Sequence, residues 1–343
     1  VLKGRLDGLE TRVGVLEANT FATTTRLKGM ATFVLGASAF SGSSINTGAN
    51  TVNQRDGAPF SLPNATTFNY DLQLTFDTSF SGKDLLRTNL RAGNFGQSVF
   101  GGAPQELALS TLEIAFQETC QSKDGSVVVD CGDVVAIDKL FYQFPIGSHL
   151  TATLGARVAQ DDMLAFWPSV YPADTILNVM TVNGAPAAYN KNSGAGVGLW
   201  WQDNGWSVSA NYVAANSAVG SPAAGGIATQ ASGSSATVQI GYQQEAWGLA
   251  AVWSFLEGGL GPQGATTFVA NQLQPLAVSS NAFGVSGFWQ PQTSGWLPSI
   301  SAGWGINTTT FATPPLAGHP WVFSGALAHV VPGPGASDAP GSP

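Results

Sequence analysis

The stretch Phe68-Asn69-Tyr70-Asp71-Leu72-Gln73-Leu74-Thr75-Phe76-Asp77 puts five apolar residues on one parity and five polar residues on the other. A period of two without an error reads as a β-strand with one apolar face and one wet face. The same pattern spreads outward from it. Leu86, Thr88 and Leu90 oppose Arg87, Asn89 and Arg91, and Leu150, Ala152, Leu154, Ala156 and Val158 oppose Thr151, Thr153 and Arg157. Further along, Trp206, Val208, Ala210 and Tyr212 oppose Ser207, Ser209 and Asn211, and Ala236, Val238, Ile240 and Tyr242 oppose Thr237, Gln239 and Gln243. Trp247, Leu249, Ala251, Trp253 and Phe255 form another such row.

The connections alternate as well. Short turns occur at Ser81–Asp84, Pro145–Ser148, Asp203–Gly205, Gln244–Ala246 and Gln292–Gly295. Long Gly-, Ser-, Asn- and Pro-rich excursions occupy about 41–65, 94–132, 160–192, 216–232 and 258–278. Short turns on one rim and long loops on the other are the organisation of a membrane-spanning antiparallel β-barrel. With all short turns on one rim, the 94–132 excursion has no room for a further crossing. The alternating Leu112, Ile114 and Phe116 therefore predict a strand over about 107–118 that stays in the outer loop region or folds against the barrel. Roughly eleven crossings remain between Gly29 and Asn307, with a possible twelfth near Trp321–Val330. Trp200, Trp201, Trp206, Trp247 and Trp296 stand at strand ends, where an interfacial girdle would lie.

Composition agrees with a wall that is apolar on alternate residues. Charged residues make up 10% of the 343, against roughly 25% in a soluble domain. Mean hydropathy is nonetheless only slightly positive. No apolar run approaches the roughly 20 residues of a membrane-spanning helix. The net charge of −8 and the lack of a basic stripe argue against nucleic-acid binding. Cys120 and Cys131, the two cysteines, bracket a short polar loop without metal-type spacing. Outside a reducing compartment they would pair; otherwise they are free thiols. The chain starts at Val1 with neither Met nor a signal peptide, as a processed or trimmed chain would.

The first 20 residues differ in kind. Leu2, Leu6, Leu9, Val13 and Leu16 follow a heptad seam, with Lys3, Arg5, Asp7, Glu10, Arg12 and Glu17 between them. Little more than two heptads, interrupted by Gly4, Gly8 and Gly14, make a marginal helix alone. The segment reads as the end of a coiled-coil stalk, which would make the protein oligomeric, or as an ordinary amphipathic helix.

The order of these features resembles a known family. LKGRLDGLETRVGVLE at 2–17, followed by TTTRLKGMATFVLG at 23–36, resembles the junction of coiled coil and barrel in cyanobacterial outer-membrane porins. These are the iron uptake porins, related to the OprB-type carbohydrate-selective family. FSGKDLLRTNLRAGNF at 80–95, DVVAIDKLFYQFPIGSHLTATL at 133–154 and VSSNAFGVSGFWQ at 278–290 are similar to further motifs of that family. The resemblance implies an all-β, antiparallel transmembrane barrel of about sixteen strands, trimeric in the cell outer membrane, and passing small hydrophilic solutes. Inorganic ions including iron, and sugars, are the implied cargo. It also implies an N-terminal domain, absent from this sequence, that binds a peptidoglycan-linked polymer. On this reading 1–20 is stalk, 29–308 is barrel and 309–343 is an atypical Pro-, Gly- and Ala-rich tail. Its prolines suit a closing strand poorly, as in a premature stop, a frameshift or a cloned fragment.

Catalytic and metal-binding patterns are missing, so neither an enzyme nor a cofactor is expected. His149, His319 and His329 are the only histidines. Charges on wet strand faces stand out instead: Arg87, Arg91, Arg157, Asp71 and Asp77 are the candidate pore-lining residues. Charge in a low-dielectric lumen sets the local potential. The alternative is that these residues form ion pairs within the wall. Asp161 and Asp162 open the 160–192 excursion and are either part of a constriction loop or a solvated turn. A passive channel accounts for all of these features together. A structural anchor joining outer membrane to cell wall, with little or no conductance, is the alternative.

Overall fold

The computed structural model describes residues 24–39, 54–55, 58–59, 65–102, 110–118, 120–121, 127–128, 131–170, 177–258, 277–291, 298–311 and 326–331. The expected stalk at 1–20 lies outside them, as does most of the tail. One antiparallel sheet of twelve strands dominates. Its first half comprises β1 (Thr24–Gly36), β2 (Thr67–Ser79), β3 (Leu85–Gly93), β4 (Ala136–Ile146), β5 (Leu150–Ala159) and β6 (Ser193–Asp203). The second half comprises β7 (Trp206–Ala214), β8 (Ser234–Gln243), β9 (Trp247–Glu257), β10 (Ala277–Trp289), β11 (Ile300–Phe311) and β12 (Ala326–Val331). Every strand pairs with its sequence neighbours, and β1 and β12 are the edges. Eleven strands thus end at Phe311 and the twelfth falls at 326–331. A sheet of sixteen is not seen among the described residues.

The sheet is inverted relative to a water-soluble one. On β7, Val208 is 42% exposed while Ser207 and Ser209 are buried, and on β8 Val238 and Ile240 are exposed while Thr237 and Gln239 are buried. On β6 to β11, fourteen large apolar side chains are exposed, from Val197 and Leu199 to Ile300 and Trp304. Half-exposed in water, each would forfeit roughly 1 kcal/mol. The sum rivals the net stability of a whole domain, about 5–15 kcal/mol. An apolar solvent around the sheet removes that cost. Among the described residues no helix is long and apolar enough to cross a membrane. At the short-turn rim Trp206, Tyr242 and Trp247 pack in sequence with tilted rings, their centroids 5.0 and 5.5 Å apart.

The short turns at Ser81–Asp84, Pro145–Ser148, Asp203–Gly205 and Gln244–Ala246 sit where the spacing places them, while Gln292–Gly295 lies outside the described residues. In the β2–β3 turn the Asp84 carboxylate accepts from Ser79 Oγ at 2.9 Å, Ser81 Oγ at 2.6 Å, Ser81 N at 2.7 Å and the Tyr142 hydroxyl at 2.8 Å. The Ser81 hydroxyl foremost, with the other donors, holds this carboxyl well below the usual carboxylate range. A depressed folded-state pKa adds stability above the unfolded value of about 3.9, and that stability is lost as pH falls toward the folded value. Asp84→Asn should therefore be less stable at neutral pH and lose stability less steeply on acidification. Urea unfolding in micelles from about pH 7 down to pH 3 measures this; parallel curves for both proteins would refute it.

Two expectations need correction. Leu140 pairs with Arg157 but Phe141 pairs with Gly155, so Ala156 is the extra residue of a β-bulge. The bulge switches parity: Val158 is buried on the inner face, and Arg157 is turned to the exposed face across from Leu140. Arg157 is therefore not on the wet face. The second concerns 107–118. Among its described residues, 110–118, there is no strand, only an isolated bridge between Leu112 and Leu177. No crossing intervenes there, since β3 pairs directly with β4.

Candidate functional site

Two different walls make up the polar inner face. The wall of β1 to β4 carries charge. Arg87 holds Asp77 with Nε at 2.8 Å and a terminal nitrogen at 3.1 Å, and Lys28 reaches the same carboxylate at 2.9 Å. Arg91 forms the same two-point contact with Asp71, at 2.6 and 3.1 Å. Register explains both pairs, because Arg87 lies across from Asp77 and Arg91 from Gln73, two residues from Asp71. Lys139 binds Asp162 at 2.6 Å, and Asn89 donates to Asp138 at 3.2 Å. In each ion pair of this wall the carboxylate is the more buried partner. Asp71 is fully buried and Asp77 is 12% exposed, whereas Arg87 is 31% and Lys28 64% exposed.

The candidate residues therefore divide. Arg87, Arg91, Asp71 and Asp77 come together on one inner wall as ion pairs within it, with Arg87 partly exposed and Arg91 covered by the chain that passes over β3. Arg157 does not join them. Asp161 and Asp162 fall in a single 3-10 turn, Asp161–Met163, directly after β5. Asp162 also accepts from the Ala159 amide at 3.1 Å, while Asp161 Oδ1 is buried without a hydrogen-bond partner. Cys131 is buried and disulfide-bonded, and the chain's other cysteine is Cys120. Among the described residues no cluster of three or more His, Cys, Asp or Glu could hold a metal ion.

The wall of β6 to β11 is uncharged and is covered by the described parts of the 160–192 segment, 160–170 and 177–192. Glycines at inner-face positions make room for it. A Cβ at Gly198 would meet Met163, at Gly241 and Gly248 Phe166, at Gly284 Ala185, and at Gly303 the Asn183 carbonyl. Close backbone approach of this kind is what an in-strand glycine permits. Gln160 pins the segment at its base. Its buried amide donates to the Ala188 carbonyl at 2.7 Å, Thr237 Oγ1 at 2.6 Å and Ser254 Oγ at 3.3 Å. Its side-chain oxygen accepts from the Lys191 amide at 3.0 Å, and its own amide donates to the Asn192 carbonyl at 2.9 Å. One residue thus joins both ends of the segment to β8 and β9. The Tyr189 hydroxyl adds a buried bond to Gln239 at 2.9 Å.

A second segment, 110–118, lies over the upper inner face of β3. Arg91 donates to the Ile114 carbonyl at 3.3 Å and lies 4.8 Å over the Phe116 ring, and the Gly96 amide donates to Gln117 at 2.7 Å. Lys28, Lys139, Gln160, Glu113 and Lys191 were not among the expected site residues. For the seat of the 160–192 segment a sequence signal did exist: glycines at polar-parity positions of otherwise regular strands.

No family model matches the chain. An uncharacterized protein of Synechocystis sp. is 26% identical over 199 residues, which is 58% of this chain and 31% of that protein. An uncharacterized protein of Nostoc sp. is 42% identical over 93 residues, 27% of this chain and 13% of that protein. The chain spans less than a third of the length of either relative. Among solved structures, a loop L8 deletion mutant of OmpT, an outer membrane protein of Vibrio cholerae, superposes with a TM-score of 0.42 at 8% identity. That match covers 86% of this chain and 72% of the other. A mutant of the Rh. blastica porin gives 0.41 at 10% identity, covering 84% and 81% of the two chains. Pseudomonas putida OprB gives 0.39 at 9%, covering 89% and 78%.

Proposed function

We propose that this chain forms most of an outer-membrane porin, a passive channel for small hydrophilic solutes. The observation that carries the proposal is the inversion of the sheet. Apolar residues face outward along β6 to β11, while serine, threonine, glutamine and ion pairs line the inside. A sheet with that pattern is at rest only with lipid outside and water or polar chain inside. The short turns then mark the periplasmic rim and the long segments the outer rim. The reading extends to closure with further strands toward about sixteen, to a homotrimer, and to inorganic ions including iron, or sugars, as cargo. It also extends to the stalk as the link to a peptidoglycan-linked polymer. Two inward-folded segments give the alternative, a membrane anchor of little conductance, its own support.

Planar-bilayer recording of the detergent-purified protein tests the proposal. Stepwise conductance is expected, and a silent bilayer containing correctly inserted protein would favour the anchor. Within a conducting channel, Arg87→Ala leaves the Asp77 carboxylate with Lys28 as its remaining partner and removes an exposed cation. The reversal potential in a salt gradient should shift toward cation preference. An unchanged reversal potential would assign Arg87 to wall structure alone.

A further inference from the structure

The two inward segments do more than line opposite walls, because they hold each other. The Asn178 amide donates to the Thr111 carbonyl at 2.9 Å, and Leu112 bridges Leu177. The Lys191 ammonium binds Glu113 Oε1 at 2.6 Å and the Thr181 hydroxyl at 2.5 Å, and Thr181 donates to Glu113 Oε2 at 3.0 Å. Lys191 also lies 5.7 Å over the Trp167 ring. The pair is partly buried, with Lys191 19% and Glu113 22% exposed. Lys191 adopts the left-handed backbone conformation, φ 50°, which a non-glycine residue holds only when its surroundings impose it.

Following these contacts from end to end gives an unbroken path. It starts at the Asp71–Arg91 pair on β2 and β3, passes through Ile114 and Phe116 to Glu113, then through Lys191 and Gln160 to β8 and β9, and on through Asn183 to Gly303 of β11. β3 and β11 are eight strands apart in the sheet, about 38 Å along it at 4.8 Å per strand. The path therefore runs across the interior and not around the wall. We propose that Glu113 and Lys191 are the clasp of a two-segment diaphragm, and that this pair sets the largest solute able to pass. The proposal rests on the channel reading. A single inward segment would leave the space over β3 open. The clasp closes it, and no other ion pair among the described residues joins the two segments.

The test uses Lys191→Met, which keeps most of the length of the side chain and removes its charge, Glu113→Gln, and the exchanged pair E113K/K191E. Each is compared with the wild type by single-channel conductance and by swelling of proteoliposomes in a mono- and a disaccharide. The expected result is a severalfold gain in conductance and faster disaccharide entry for both single variants, with return toward wild type in the exchanged pair. A silent wild type beside conducting single variants would also support the clasp. Conducting wild type and variants with one common conductance and size limit would overturn the clasp and leave the channel standing. Silence of the wild type and all variants, each heat-modifiable and protease-resistant as an inserted barrel is, would overturn both. Should one single variant fail to insert, the other is read beside the exchanged pair: a larger conductance in the single variant that returns to wild type in the exchanged pair supports the clasp, and equal conductance in both refutes it.

Discussion

Gln160→Leu is expected to destabilise the protein by about 2–4 kcal/mol, because one or two buried groups lose their partners at roughly 1–3 kcal/mol each. The substitution spares the volume of a fully buried side chain but strips its amide. Its partners do not suffer equally. Thr237 and Ser254 still bond each other at 2.8 Å, and the Ala188 carbonyl keeps Ser254 at 2.7 Å. The Lys191 amide loses its acceptor outright. The loss should appear first as loosening of the 160–192 segment while the sheet persists. Limited proteolysis of inserted protein should cut within that segment in the variant and spare the wild type, and urea unfolding should report the smaller stability. Equal protease resistance together with an equal urea midpoint would remove Gln160 from its role as the base of the segment.

Val238→Arg is expected to cost about 2–4 kcal/mol in a lipid bilayer, the penalty of a lipid-facing arginine near mid-depth. Val238 is midway along β8, 43% exposed, and flanked by Ala210 and Trp253 on the same face. The matched substitution Ile300→Arg falls at the first residue of β11, also on the exposed face, where a rim position should cost about 0–1 kcal/mol. Reversible unfolding from vesicles of both variants measures the difference. A water-facing surface would tolerate arginine equally at both positions, so equal small costs would sink the membrane reading of that face.

The strands, their number up to Phe311 and four of the five short turns were legible from period-two alternation. Lipid and water are the two strongest selectors acting on a strand, so parity alone reports the face. Parity does not report partners. The side chains of Arg87 and Arg91 could be assigned to the wet face, but whether they faced a solute or Asp77 and Asp71 depended on register between strands. Arg157 escaped because a single extra residue, Ala156, reverses every later side chain of its strand. The 110–118 segment alternates like a strand yet has no neighbouring strand to complete its ladder. It satisfies its backbone instead against Phe100, Arg91 and Asn178. Gln160 and the Glu113–Lys191 pair join residues 31 and 78 positions apart, and no local pattern announces such contacts.

The glycine seat also bears on the order of assembly. Its members lie on five strands, from Gly196 and Gly198 of β6 through Gly241, Gly248 and Gly284 to Gly303 and Gly305 of β11. None of these strands presents the seat alone, and a pairing shifted by one residue would raise a side chain into the path of Phe166, Ala185 or Asn183. The segment can therefore dock only after more than a hundred downstream residues have paired correctly. Contacts of such sequence separation form slowly and late. Docking of the segment then acts as a proofreading step, and a misregistered sheet is left with an empty, protease-accessible interior.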